Sequence, residues 1–131
     1  MTKSKLESPL PGPFDPDTLA YTGDGLIPCI AQQHDTGEVL MLAWMNAESI
    51  AETLRSGRVT YWSRSRQELW KKGETSGHVQ HLIDLRLDCD RDCLLALVDQ
   101  IGPACHTSRR SCFYTAIRGN QEIELAPRPA S

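Results

Sequence analysis

The sequence predicts a β-rich α+β domain, and three observations carry that prediction. Apolar and β-branched runs recur at strand length, turns rich in Gly and Asp separate them, and one segment, 47–56, has helical periodicity with a matching start and stop. At 131 residues the chain has room for a single core, so a single site is expected.

Taken in order, residues 1–20 are rich in Pro, Ser and charge and read as a flexible N-terminal arm whose removal is tolerated unless it covers a partner subunit. Residues 26–33 and 38–45 flank the turn-forming His34-Asp35-Thr36-Gly37, which predicts a hairpin of largely buried strands. Asn46 supplies an N-cap, Ile50 and Leu54 share one face of the following helix, and Gly57 stops it. Strand returns over 59–63, where β-branched and aromatic residues cluster. Residues 67–77, with Leu69-Trp70 and then KKGETSG, read as an ordered surface loop. Two further strands, 79–90 and 94–101, join tightly at Arg91 and Asp92. Residues 102–111 read as loop and 112–117 as one more strand, so the folded domain is expected over 21–120. Residues 121–131 form a C-terminal tail holding a short strand at best.

The formal net charge of −3 disfavours a long polyanion as partner, while local basic pairs leave room for small phosphates. No apolar run approaches a membrane span, and residues 1–19 lack the apolar middle of a secretory signal, which together lead us to expect a cytoplasmic protein. Five cysteines, an odd count, argue against a disulfide framework and for metal binding or catalysis.

The stretch LDCDRDC, residues 87–93, places acids at alternate positions and a thiol between them. In an extended chain Asp88 and Asp90 face one way, Asp92 joins them if the geometry continues, and Cys89 faces the other way with Ile83, Leu85 and Leu87. Carboxylates so close raise one another's pKa unless a cation compensates, and hard oxygen ligands suit Mg²⁺, Mn²⁺ or Ca²⁺. The plainer alternative is a solvated acidic turn. Cys89, Cys105 and Cys112 come from separate segments and would suit Zn²⁺ with one position open to water, or would pack as small apolar groups. Cys29 and Cys93 read as packing residues. His106, beside Cys105, suits a general base, or else is a solvated loop histidine. Arg64 and Arg66 with their serines, and the Lys71–Gly77 loop, combine the groups that hold phosphate oxygens, although a solvated strand end accounts for them equally.

Read together, EVLMLAWMN, VTYWSRSRQELWKKGETSGH, LDCDRD and ACHTSRRSCF resemble the phosphoribosyl-AMP cyclohydrolases of histidine biosynthesis, over about residues 25–117. The resemblance implies a small barrel-like antiparallel subunit with one main helix, in an intertwined homodimer. It implies hydrolysis of the N1–C6 bond in the adenine ring of 1-(5-phosphoribosyl)-AMP, giving the phosphoribosyl-formimino-AICAR phosphate intermediate. Carried over, the zinc ligands fall on Cys89 of one subunit with Cys105 and Cys112 of the other, and the magnesium ligands on Asp88, Asp90 and Asp92. Zinc would lower the pKa of water toward neutrality for attack at C6, with His106 moving a proton. Arg64, Arg66, Lys72, Ser76 and Arg109 are the expected phosphate or ribose contacts. Cys93 departs from the family pattern, where a small residue such as Ala is more usual.

Two rival readings differ in class. A structural zinc module that binds RNA or protein would need a fourth protein ligand, with His106 the candidate. A nucleobase deaminase would need a His-x-Glu and a Pro-Cys-x-x-Cys, and the chain has neither.

Overall fold

Residues 27–33 bury every second side chain, Ile27, Cys29, Ala31 and Gln33, and this period-two pattern makes β1 (Ile27–Gln33) a central strand. The structure, a computed structural model, describes residues 11–127. Across the His34–Gly37 turn, β2 (Val39–Met45) pairs antiparallel with β1, as the sequence predicts. The helix α1 (Ala47–Ser56) follows at once. A hairpin of β3 (Thr60–Ser63) and β4 (Glu68–Lys71) comes next, then β5 (Gln80–Leu87) and β6 (Leu94–Gln100), then a second hairpin of β7 (Thr115–Arg118) and β8 (Gln121–Glu124).

The main sheet has the order β2-β1-β6-β5 and is open, with β2 and β5 at its edges. Its two central strands, β1 and β6, run parallel, while the other two pairings are antiparallel. The expected antiparallel, barrel-like sheet is therefore corrected to an open mixed sheet. A parallel pair requires a long crossover, and the segment containing α1, the first hairpin and β5 supplies it.

Both ends of α1 follow local chemistry. The Asn46 side chain accepts from the Ser49 N–H at 2.8 Å while the Ser49 hydroxyl accepts from the Asn46 N–H at 2.9 Å, a reciprocal cap. Gly57 ends the helix in the left-handed region at φ 75°. Its buried companion to Ile50 is Thr53 rather than Leu54, which is 47% exposed. The Thr53 hydroxyl donates to Ser49 O and accepts from the Thr60 N–H, so the polar residue is satisfied inside.

Three other boundaries differ from expectation. Residues 68–71 form a strand because Trp70 and Leu69 pair across from Tyr61 and Trp62, leaving only the residues after Lys71 as loop. β5 ends at Leu87, and a register shift between Leu82 and Asp84 leaves Ile83 55% exposed while Leu82, Leu85 and Leu87 pack on the core. The last expected strand starts at Thr115, and residues 121–124 of the tail pair with it.

Within the expected arm, Pro16–Thr18 form a 3-10 turn and Leu19 joins the core at 6% exposure. The expectation for residues 1–10 lies outside the described residues. The core gathers Ile27, Leu40, Met45, Ile50, Val59, Tyr61 and Val98. Its polar members are paired: the Tyr61 hydroxyl donates to Gln80 at 2.7 Å, and Gln80 donates to Gln100 at 2.8 Å. Among the described residues no helix is long and apolar enough to cross a membrane.

Candidate active site

The three acids meet in the turn after β5 rather than on the strand. One ligand oxygen from each of Asp88, Asp90 and Asp92 lies within 4.8 Å of the others, all exposed. Convergence depends on Arg91, which takes the left-handed conformation at φ 62° and reverses the chain. Asp88 anchors the turn by accepting the N–H groups of Asp92 at 3.0 Å and Cys93 at 3.2 Å. Burial pushes its carboxyl up, but these amide donors outweigh it and hold the group below its usual range, whereas the neighbouring Asp88 raises Asp92. The first acid is thus ready to hold a cation, and the last is destabilised as an anion without one, so the oxygen set fits a hard divalent ion.

A second cluster comes from residues 104–112. Here the chain folds back, with Ala104 N–H donating to Arg110 O and Cys105 N–H to Arg109 O, which brings the Cys105 and Cys112 thiols into contact. Cys112 is tied to β2 through its N–H to Leu40 O at 2.7 Å. Burial raises the Cys105 thiol, but Thr107, whose hydroxyl lies 3.0 Å from the sulfur, then Cys112 and the Arg109 charge bring it below the ordinary value. Burial and then Cys105 push Cys112 up to about 11. Two opposed thiols, one favoured as thiolate and one held back by its neighbour, are a donor pair that suits Zn²⁺. Thr107 was not foreseen; the Cys-x-Thr spacing, which allows a short side-chain turn, is the signal that points to it.

Cys89 is exposed, with its sulfur 3.8 Å from Asp90 Oδ1. Among the described residues the acidic triad alone makes a group of three or more potential metal donors, so Cys89 does not join Cys105 and Cys112 within one chain. His106 is exposed beside Cys105.

The basic residues separate into three environments. Arg66, Lys72 and Ser76 line one cleft of about 240 Å³ with Trp70, Gly73 and two acids, Glu68 and Glu74, and Arg66 pairs with Glu68 at 3.5 Å. Lys72 links this cleft to the thiols: it is 8% exposed, donates to Ala104 O at 2.7 Å, and is lowered by burial although Cys112 and Cys105 oppose the shift. Arg64 lies outside the cleft, its guanidinium 5.0 Å from the Trp44 ring centre. Arg109 is buried and engaged in structure, pairing with Glu124 at 2.9 Å, donating to Ala126 O and stacking on Tyr114 at 3.7 Å. It ties the C-terminal hairpin to the 104–112 segment.

The thiol pair and the cleft of Arg66 and Ser76 meet at Lys72, and known proteins give the class of the chain as a cyclohydrolase, an enzyme. Residues 41–114 match the family model described as phosphoribosyl-AMP cyclohydrolase. The chain is 73% identical over 112 residues to the phosphoribosyl-AMP cyclohydrolase of Jannaschia sp. (strain CCS1), covering 86% of this chain and 94% of that one. It is 71% identical over 113 residues to that of Ruegeria pomeroyi, covering 86% and 95%, and 68% identical over 115 residues to one of Cereibacter sphaeroides, covering 87% and 97%. The chain belongs to the phosphoribosyl-AMP cyclohydrolase family.

Proposed function

We propose that the chain opens the adenine ring of 1-(5-phosphoribosyl)-AMP by hydrolysis of the N1–C6 bond, the third step of L-histidine biosynthesis, as a cytoplasmic homodimer holding Zn²⁺ and Mg²⁺. The family match over 41–114, with the cysteines and acids of the site all present, carries this reading.

Cys105 and Cys112 of one protomer with Cys89 of the other would hold zinc, and Asp88, Asp90 and Asp92 would hold magnesium. Zinc, when bound, supplies Lewis acidity that makes water nucleophilic near neutral pH. Sharing between protomers is supported by the exposed Cys89, which stands apart from the thiol pair of its own chain.

The chain's own groups then divide the work. Arg66, Lys72 and Ser76 bind a substrate phosphate, and their cleft borders the thiols through Lys72, which places the reacting purine near them. As oxygen of water bonds to C6 and the C6–N1 bond breaks, the electron pair leaves on N1. His106 takes a proton from the entering water and returns one to N1, so the charge balances.

A subunit-complementation experiment tests the shared site. Cys89→Ser and Cys105→Ser variants should each be inactive on phosphoribosyl-AMP, and mixing them should restore roughly a quarter to a half of the activity, because a mixed dimer regains one intact site. Mixtures as inactive as the separate variants would overturn the shared site.

A further inference from the structure

Arg110 holds the thiol segment from both sides. Its main-chain oxygen accepts the Ala104 N–H at 3.0 Å, next to Cys105, and Cys112 follows two residues later. The guanidinium turns back to the end of β6, where Nη1 donates to Gln100 O at 3.0 Å and Gly102 O at 3.1 Å, and Nη2 donates to Gln33 Oε1 at 2.9 Å. Glu38, its carboxylate partner, stands farther off at 3.4 Å. The fork of this arginine is thus directed at neutral oxygens of its own chain, although a basic residue beside Arg109 invites a phosphate reading.

Gln33 and Gln100, which receive it, are both buried. Gln33 Nε2 donates to Asp35 at 3.0 Å and Asp99 at 3.1 Å, which turns the amide oxygen toward Arg110, and the same oxygen accepts the Gln100 N–H at 2.9 Å. The Gln100 side chain accepts from Gln80 at 2.8 Å and donates to His78 O at 3.2 Å, at the far end of the 72–78 segment. That segment meets the thiol loop closely: Lys72 donates to Ala104 O at 2.7 Å, and a Cβ on Gly102 would lie 2.7 Å from the His78 imidazole. Among the described residues none of these glutamine or Arg110 side-chain atoms is buried without a partner. A satisfied buried network fixes one arrangement of its members, and here the members are the bases of the two segments that meet at the site.

We propose that Arg110 is a positioning residue of the site, which acts through Gln33 and Gln100 to hold Cys105 and Cys112 at the separation and orientation that a shared metal needs. It does this without touching substrate. The proposal rests on the cyclohydrolase reading, which makes the two thiols metal ligands, and adds the group that aligns them. Lysine cannot take its place: a point donor on a flexible stem does not span Gln33 Oε1 and two carbonyls as a planar fork does. An arginine that merely met a phosphate would keep much of its function as lysine.

The full-length protein, stripped of metal and titrated with Co²⁺, tests this without substrate, because thiolate ligation gives cobalt an ultraviolet charge-transfer band. Arg110→Lys should bind Co²⁺ about tenfold more weakly and with a weaker thiolate band. Gln33→Met, which removes the shared acceptor from the other side, should do the same, and it carries the comparison if Arg110→Lys does not fold. The double variant should lose less than the product of the two single losses. Glu38→Gln, which alters only the outer contact, should stay near wild type. On phosphoribosyl-AMP with Zn²⁺ and Mg²⁺ added, each single variant should lower kcat several-fold with KM little changed. Wild-type cobalt affinity and band in either single variant would overturn the role, as would fully multiplicative losses in the double variant. A raised KM with unchanged cobalt binding would make Arg110 a substrate contact instead. Loss of the metal-free fold in near-ultraviolet circular dichroism, in step with the loss of cobalt, would make it a residue of general stability and overturn the proposal too. Absence of wild-type turnover, with the cobalt results as expected, would strike the cyclohydrolase reading and leave the alignment of the thiols standing.

Discussion

The Arg91 guanidinium donates to the Thr18 hydroxyl at 2.7 Å, joining the N-terminal 3-10 turn to the residue that reverses the acidic turn. The Ala20 N–H adds a second tie, to Arg91 O at 2.8 Å. A segment expected as a dispensable arm thus braces Asp88, Asp90 and Asp92. Deletion of residues 1–20 should lower the thermal midpoint, since burial of Leu19 alone is worth about 2–3 kcal/mol. It should also weaken Mg²⁺ binding in calorimetry several-fold. An unchanged midpoint and unchanged Mg²⁺ affinity would return these residues to the status of a free arm.

Gly73 should be irreplaceable in the phosphate cleft. At φ +81° its Cβ position lies 2.4 Å from the backbone of His78 and Val79, which cannot move aside as a side chain would. Gly73→Ala should therefore cost more than the roughly 1–3 kcal/mol of an ordinary strained residue and should displace Lys72. Urea unfolding measures the first effect and inorganic phosphate binding the second; wild-type values for both would contradict the clash.

Much of the local structure was legible because its causes are local. The Asn46 cap, the Gly57 stop and the β1–β2 turn each rest on residues a few positions apart. What stayed hidden depends on distant partners. The parallel pairing of β1 with β6 joins Cys29 to Leu94, and no periodicity encodes that choice. The strand at 68–71 reads as loop until Tyr61 is placed opposite Trp70. At the site, alternation predicts Cys89 on the apolar face and the acids on a strand; instead Cys89 is exposed with its sulfur near Asp90, and the left-handed Arg91 brings the acids together in a turn. The Arg109 ion pair is not legible in the sequence, because its partner Glu124 lies in a tail that carries no strong signal.

Acid stability should depend on Glu52. Hydrogen bonds from Arg55 and then Lys71 hold its carboxyl down to about 2 from the ordinary 4.5. A depressed folded-state pKa contributes stability above 4.5 that is lost as pH falls through 2. Glu52→Gln should flatten the fall in stability across that window, as read by the urea midpoint against pH. A parallel acid limb in the variant would show that exposure has screened the effect away.

Cys93 should be dispensable to zinc. It is half-buried next to the acidic turn, with its thiol toward Leu94 O and near Cys29. Cys93→Ala should retain wild-type zinc content by atomic absorption and nearly full activity, whereas Cys112→Ser should lose zinc. Loss of about one zinc per subunit from the Cys93 variant would overturn the ligand assignment.

The most direct measurement is ring opening of phosphoribosyl-AMP, followed by absorbance, on metal-stripped protein and again after adding back Zn²⁺ and Mg²⁺ separately and together. Turnover restored only when Zn²⁺ is present and raised further by Mg²⁺ is the predicted result. Stoichiometric zinc binding without turnover would contradict it and favour a structural zinc module.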